Sequence, residues 1–388
     1  MREPSRPAPP TLSPAEQASV DARMMREALS LARRGLGNTW PNPAVGAVIW
    51  RMTPDGPRIV GRGFTRPGGR PHAETVALAQ AGDLARGASM AVTLEPCSHH
   101  GRTPPCCEAV VAAGIARVVS AIEDPDPRVN GRGHIHLRAA GVHVSVGTLA
   151  AEARRVNYGF ILRVVDGRPL VTLKLARTAD GYAAGPGPER LLITGRAAAA
   201  KVHKLRARHD AIMVGIGTVE ADDPLLTVRL PGLAHRSPVR VVLDPGLRIS
   251  PEASLVSGPA GPPTWIVAAD DAPWSVEQGL AAFGVPVDRV RRTGPDGALD
   301  LRAVLASVAK RGVTRLFCEG GPRLGEALAA AGLVDQFVLL TSPRRLGAPG
   351  VPALGPALRA IVDDRSQFEA LGPLMLGEDE MHCFRRII

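Results

Sequence analysis

His72, Cys97 and Cys106 offer one imidazole and two thiols, and Glu74 stands two residues beyond the histidine. One imidazole and two thiolates are three of the four ligands that Zn²⁺ takes tetrahedrally, and a site with only three protein ligands keeps its last corner for water. A carboxylate placed like Glu74 can face that corner without being a ligand. Zinc lowers the pKa of its water to roughly 7, so hydroxide is available at neutral pH to attack an amidine-type ring carbon. The protonated carboxylate can then deliver the proton that lets ammonia leave. The spacing predicts metal-assisted hydrolysis with His72, Cys97 and Cys106 as ligands and Glu74 as the catalytic proton carrier.

H-x-E followed by P-C-x-x-C is the general pattern of zinc nucleobase deaminases. Here Pro96-Cys97 is followed by eight residues, Ser98 to Pro105, before Cys106. His99, His100 or Cys107 could supply a fourth ligand, which would make a closed structural site and a non-catalytic, zinc-stabilised binding module.

Elements around these residues would position them. Ser89 to Leu94 reads as a buried strand that Glu95-Pro96-Cys97 breaks, so that Cys97 projects from a strand end. Pro105 favours a helix start, which puts Cys106 at a helix N-terminus where amide groups and the dipole favour thiolate. His72 likewise opens a helical run, Ala73 to Gly82. Upstream, Ser13-Pro14-Ala15-Glu16 has the form of a capping box, and Met24, Met25, Ala28, Leu29 and Ala32 continue at helical spacing. Val45 to Trp50 and Ile59 to Phe64 read as a strand pair, Ala116 to Ile122 as a strand, Arg132 to Ala140 and Val142 to Val146 as a helix and strand, and Thr148 to Leu162 as a helix. Alternation of this kind implies a three-layer α/β/α sandwich.

Val165-Asp166-Gly167-Arg168-Pro169 breaks the last helix, and a boundary is expected there: a disordered tail over 1–19, one domain over 20–166 and another over 167–388. In the second half, strands are expected at Leu170 to Leu175, Ala211 to Val214, Val239 to Leu243, Thr264 to Ala268 and Arg315 to Cys318. Helices are expected at Arg196 to Arg208, Leu301 to Arg311 and Pro322 to Ala331, with Gln336 to Thr341 and Glu380 to Ile387 as closing strands. The glycines after Cys318, in Glu319-Gly320-Gly321-Pro322, lead from strand to helix and offer free amides to a phosphate. Their spacing is not G-x-G-x-x-G, so a Rossmann cofactor site is not indicated. Val214-Gly215-Ile216-Gly217-Thr218 is a second Gly-rich strand end.

The whole chain, 388 residues, exceeds one ordinary hydrophobic core. Its 42 glycines and 36 prolines, about a fifth of it, stay below the handful of compositions that signal disorder. No apolar run approaches the roughly 20 residues of a membrane span, and Met1 to Pro14 lacks a signal-peptide core, so no membrane association and a cytoplasmic location are expected. Five cysteines are an odd number for a disulfide framework. The net charge of +10 is compatible with nucleic acid, yet the arginines are scattered and only 3% of residues are aromatic, which leaves little for base stacking. A small phosphorylated substrate accounts for the cationic bias, and no nucleic-acid partner is expected.

Val92 to Cys106, with Asn42-Pro43-Ala44-Val45-Gly46, Pro71-His72-Ala73-Glu74 and Asp124-Pro125-Asp126-Pro127 before Gly131-Arg132-Gly133, resembles one family in one order: the bifunctional riboflavin-biosynthesis proteins, a diaminohydroxyphosphoribosylaminopyrimidine deaminase fused to a 5-amino-6-(5-phosphoribosylamino)uracil reductase. The long insert between the cysteines is that family's habit. The resemblance implies the same zinc ligands, Glu74 as proton shuttle and Asn42 as a contact to the pyrimidine. Leu205 to Arg208, Gly217 to Arg229, Leu243-Asp244 and Glu319 to Pro322 resemble the reductase half, which implies a dihydrofolate-reductase-like α/β domain beside a cytidine-deaminase-like one. By the same resemblance Ala176, Leu192, Thr218, Asp222 and the run Gly321, Pro322, Arg323, Leu324, Gly325, Glu326, Ala327 would bind NADPH. Arg190, Arg206, Leu226, Arg229 and Glu319 would hold a phosphorylated pyrimidine substrate. A homo-oligomer is also expected. The chain departs from the family at Arg190, where a serine is usual, at Leu192, where a tryptophan is usual, and at Thr65, where a histidine is common. A deaminase with an altered second half, and a nucleic-acid deaminase, stay open as alternatives.

Overall fold

The computed structural model describes residues 12–101, 104–187, 191–293 and 297–388, and the chain divides into two compact units, Met1–Asp166 and Gly167–Ile388. In the first, α1 (Pro14–Gly35) starts at its capping box: Ser13 Oγ accepts from the Glu16 amide at 3.4 Å, and the Glu16 carboxylate accepts from the Ser13 amide at 2.8 Å. There follow β1 (Gly46–Thr53), β2 (Gly56–Phe64), α2 (Ala73–Ala81), β3 (Ser89–Val92), α3 (Cys106–Ala112), β4 (Arg117–Ser120), α4 (Arg132–Ala139), β5 (His143–Val146) and α5 (Ala150–Val165). One five-stranded sheet runs in the order β2-β1-β3-β4-β5. β1 is antiparallel to β2 and β3, while β3, β4 and β5 are parallel.

Helices cover both faces of this sheet. A Cβ on Gly46 would stand 1.9 Å from the Ala28 carbonyl oxygen of α1, and one on Gly63 would stand 2.0 Å from the Ala73 carbonyl oxygen of α2. Gly63 pairs with Ala47, the neighbour of Gly46, and successive strand residues point to opposite faces. α1 and α2 therefore pack on opposite sides, each so closely that only glycine fits beneath it. Between them lie the fully buried Ile49, Trp50, Met90 and Val118.

The second unit comprises β6 (Leu170–Arg177), β7 (Tyr182–Ala184), α6 (Arg196–Arg206), β8 (Ala211–Gly215), α7 (Ile216–Asp222), β9 (Val239–Leu243), β10 (Thr264–Ala269), α8 (Trp274–Ala281), β11 (Val287–Val290), β12 (Arg292–Thr293), β13 (Ala298–Leu299), α9 (Leu301–Lys310), β14 (Arg315–Cys318), α10 (Gly321–Ala330), β15 (Gln336–Thr341), β16 (Val351–Pro352), α11 (Pro356–Asp363), β17 (Phe368–Leu376) and β18 (Asp379–Arg386). Nine strands form a sheet in the order β11-β10-β9-β8-β14-β6-β15-β18-β17. Strands from β11 to β15 in that order are parallel, and β18 and β17 add antiparallel pairs. Buried Asp210 ties β8 to β14, accepting from the Thr314 amide at 2.7 Å and the Arg315 amide at 2.9 Å.

Two expectations are corrected here. β15 does not close the sheet but lies inside it, between β6 and β18, and the edge belongs to β17. β17 is largely exposed and interrupted at Gly372-Pro373, so its sequence carries no clean two-residue alternation. Of Val214 to Thr218, read from its glycines as a strand end, Val214 and Gly215 do end β8, whereas Ile216 to Thr218 open the short helix α7. No helix among the described residues is long and apolar enough to cross a membrane.

Candidate functional site

His72 is the N-cap of α2, and Cys106 is the first residue of α3, preceded by Pro105 at the cap. Cys97 comes from the loop after β3. These elements bring His72, Cys97 and Cys106 together with one ligand atom each, all within 4.8 Å of one another. His72 Nδ1 lies 3.3 Å from Cys106 Sγ and 3.6 Å from Cys97 Sγ, and the Cys106 amide donates to Cys97 Sγ at 3.3 Å. Hydrogen bonding from Cys106, joined by His72, pushes the Cys97 thiol down to about 4, and hydrogen bonding to Cys97 together with burial raises the Cys106 thiol. One nitrogen and two sulfurs at these separations suit Zn²⁺.

Among the described residues no fourth histidine, cysteine or carboxylate joins the cluster. His100 turns outward toward Glu108 at 3.7 Å, and Cys107 is buried with its amide donating to the Cys97 carbonyl at 3.2 Å. Glu74, on the first turn of α2, is 3% exposed. Burial pushes its carboxyl up to about 7, against the charge of His72 and the hydrogen bond of Cys106.

His72, Cys97 and Glu74 line a cleft with Asn42, Thr65, Asp124 and Phe160. Asn42 Nδ2 donates to the Gly69 carbonyl at 3.2 Å. Gly69 has φ +83°, and a Cβ there would stand 2.1 Å from that nitrogen, so both its conformation and its lack of a side chain are required. Thr65 is turned to the backbone, its Oγ1 accepting from the Val45 amide at 3.0 Å. Glu95, read from the sequence only as a strand breaker, is a buried anchor. Its carboxylate accepts from the amides of Asp124 at 3.1 Å, Gly131 at 2.9 Å, Gly133 at 2.8 Å and His134 at 3.2 Å. That clamp draws Asp124, Asp126 and Arg128 to the cleft, none of which the sequence marks as a site residue; only the position of Glu95 beside Pro96-Cys97 hints at it. Burial pushes Asp124 up to about 7.

In the second unit, α7 with Thr218 and Asp222 follows β8, and α10 with Gly321 to Ala327 follows β14. β8, β14 and β6, which carries Ala176, are neighbours in parallel, so their carboxyl ends share one edge of the sheet. Arg206 and Glu319 meet there, Nε to Oε1 at 2.6 Å and Nη2 to Oε2 at 3.1 Å, and Arg206 also donates to the Thr227 carbonyl at 2.9 Å. Burial works to raise Glu319, but the Arg206 charge and hydrogen bonds outweigh it and hold the carboxyl below its usual range. Lys174 of β6, not singled out in the sequence, is electrostatically coupled to both, and burial lowers its ammonium pKa. Leu226 is buried with φ +54°, Arg229 is exposed with its amide donating to His203 Nδ1 at 3.3 Å, and Leu192 is 68% exposed. Arg190 lies outside the described residues.

A Cβ on Gly215, Gly217 or Gly321 would meet nothing within 4 Å. These glycines leave open backbone at the ends of β8 and β14. Two members of the Gly321 to Ala327 run also serve the fold. Gly325 is buried, its Cβ position 3.2 Å from Leu173 of β6. The Glu326 carboxylate caps α11, accepting from the Ala357 amide at 2.7 Å and the Leu358 amide at 3.2 Å.

Residues 18–122 match the cytidine and deoxycytidylate deaminase zinc-binding region, and residues 169–365 match the RibD C-terminal domain. The riboflavin biosynthesis protein RibD of Escherichia coli (strain K12) is 40% identical over 356 residues, 88% of this chain and 93% of that protein. Its counterpart from Bacillus amyloliquefaciens is 39% identical over 330 residues, 85% and 86% of the two chains. Among solved structures, Acinetobacter baumannii RibD in its form 1 superposes with a TM-score of 0.83 at 34% identity, covering 96% of this chain and all, 100%, of that one. A diaminohydroxyphosphoribosylaminopyrimidine deaminase/5-amino-6-(5-phosphoribosylamino)uracil reductase from Thermotoga maritima reaches 0.79 at 30% identity, covering 96% and 100%. The expected pairing of a cytidine-deaminase-like unit with a reductase unit of the riboflavin-biosynthesis type holds.

Proposed function

Because the chain belongs to the RibD family of riboflavin biosynthesis enzymes, a zinc-dependent deaminase joined to an NADPH-dependent reductase, we propose specific substrates and residue roles for its two reactions. The first unit hydrolyses the amino group of 2,5-diamino-6-ribosylamino-4(3H)-pyrimidinone 5′-phosphate. The second reduces the ribosyl group of the product to a ribityl chain, giving 5-amino-6-ribitylamino-uracil 5′-phosphate. The observation that carries the reading is the three-ligand cluster with buried Glu74 beside it in one cleft.

His72, Cys97 and Cys106 hold the metal. Zinc in such a setting lowers the pKa of water at its open corner to about 7. Glu74 accepts a proton from the attacking water and gives it to the leaving amino group, so that water adds at the ring carbon and ammonia departs with its proton. Burial, which raises the Glu74 carboxyl, favours the protonated form that hands its proton on. Asn42, fixed on the Gly69 carbonyl, contacts the pyrimidine edge.

In the second unit Arg206 and Glu319 form the polar wall that holds the ribosyl phosphate compound, with Lys174 adding positive charge and Leu226 and Arg229 bordering it. Bound NADPH supplies the hydride for C1′ of the opened sugar. The open backbone at Gly215, Gly217 and Gly321 receives it, with Thr218, Asp222, Ala176 and Leu192 alongside. Glu326 contributes through its backbone, since its carboxylate caps α11. A cytoplasmic homo-oligomer that binds neither nucleic acid nor membrane belongs to the same reading.

The test follows ammonia release and NADPH oxidation separately on the diaminopyrimidine phosphate. Both signals are expected, ammonia first. Ammonia without NADPH oxidation would reduce the chain to a deaminase; release of ammonia from RNA but not from the pyrimidine phosphate would overturn the reading.

A further inference from the structure

At the mouth of the first unit's cleft, Arg128 is held in a particular orientation by a series of carboxylate-to-amide bonds. Glu95 Oε2 accepts from the Asp124 amide at 3.1 Å, Asp124 Oδ1 from the Asp126 amide at 2.9 Å, and Asp126 Oδ1 from the Arg128 amide at 2.9 Å. Each link fixes the next residue, and the first stands beside the ligand-bearing Pro96-Cys97. The last carboxylate then grips the guanidinium from one side: Asp126 accepts from Arg128 Nε at 2.9 Å and from Nη2 at 2.5 Å. Those are the donors of the side-on edge. The end-on edge, Nη1 and the second Nη2 hydrogen, has no protein acceptor among the described residues.

The Arg128 side chain is 68% exposed, whereas Asp126 is 14% exposed and Glu74 at the inner end of the cleft is 3% exposed. The cleft thus grades from a buried reaction centre to a charged mouth, where Arg70 and Arg128 line it together with Asp124 and Asp126. An ion pair made only for stability would gain little at such an exposed position. A guanidinium presenting two parallel N–H groups is suited to a phosphate, which it binds through a fork.

We propose that Arg128 is a specificity-determining residue of the deaminase reaction, its end-on edge receiving the 5′-phosphate of the substrate while the pyrimidine reaches Glu74. This rests on the reading above that the first unit deaminates a phosphorylated ribosylaminopyrimidine. Asp126 is then a positioning residue that aims Arg128 and touches no substrate.

The test measures ammonia release by the full-length, zinc-loaded enzyme on the diaminopyrimidine ribosyl 5′-phosphate and on the same compound without its phosphate. The wild type is expected to favour the phosphorylated compound in kcat/KM. Arg128→Gln should collapse that preference by about tenfold or more, the scale of one charge-assisted contact, through KM for the phosphorylated compound. Arg128→Lys should recover part of it, and ribose 5-phosphate should compete against the wild type more strongly than against Arg128→Gln. An unchanged preference in Arg128→Gln, or an equal loss on both compounds carried by kcat, would overturn the assignment and leave Arg128 a rim residue. Absence of ammonia from both compounds with the wild type would instead overturn the parent reading, and this inference with it.

Discussion

The two units solve different problems with different economies of residues. In the first, three ligand side chains and one carboxylate converge beside a single cleft, and all come from Pro71 to Cys106. In the second, the polar pair Arg206–Glu319 joins residues 113 apart in sequence, and the open glycine backbone lies at the ends of two strands, β8 and β14. A proton-transfer site concentrates its function in a few atoms, so a one-atom change abolishes it. A binding and orienting site spreads its function over many contacts, so single changes act there through geometry and stability. The contrast makes the two activities separable by mutation.

The largest expected effect is on the first unit. Glu74→Gln should lower ammonia release by roughly 10²–10⁴-fold while zinc content and NADPH oxidation on the deaminated intermediate persist. Loss of both activities together would break the contrast. Arg206→Gln leaves Glu319 without its partner at a site where each side chain is 12% exposed. It should destabilise the second unit by roughly 3–5 kcal/mol and suppress NADPH oxidation, with ammonia release intact, as read by thermal unfolding and the two assays.

His209 sharpens the comparison through pH. Its ring is buried on Phe317, Nδ1 donating to the Leu205 carbonyl at 2.7 Å and Nε2 accepting from Thr172 Oγ1 at 2.9 Å. Burial pushes it down to about 3 from 6.5. The unfolded chain therefore binds the proton before the folded one does, so the contribution of neutral His209 is complete above pH 6.5 and is lost as pH falls toward 3. Acid unfolding of the second unit should set in over that window, and His209→Gln should flatten the pH dependence there. A second unit that unfolds at the same pH with and without the ring would contradict it. The smallest effect belongs to the α1 cap: Ser13→Ala should cost about 1 kcal/mol, read as a small fall in the first unit's melting temperature with both activities unchanged.

What the sequence shows and what it hides follows the range of the interactions. The Ser13–Glu16 box, the strands Val239–Leu243 and Arg315–Cys318 and the His72, Cys97, Cys106 set are encoded in local spacing, and they stand where that spacing puts them. Glu95 is different: its four amide partners lie 29–39 residues downstream, so beyond its place beside Pro96-Cys97 no local pattern announces that it builds the cleft mouth. Glu326 likewise sits inside a stretch that reads as cofactor loop, yet its carboxylate answers to α11, 31 residues on. β17 escapes notice because an exposed edge strand has no buried face to impose alternation. The cofactor positions around Thr218 and Gly321 are recognisable through resemblance, whereas Lys174 is visible only once β6 and β14 are paired.

The most direct test of the account is X-ray absorption at the zinc edge on the purified protein, with and without a pyrimidine analogue. One nitrogen and two sulfurs from His72, Cys97 and Cys106, plus a light atom that the analogue displaces, is the predicted shell. Four protein ligands that the analogue leaves unchanged would contradict an open catalytic corner.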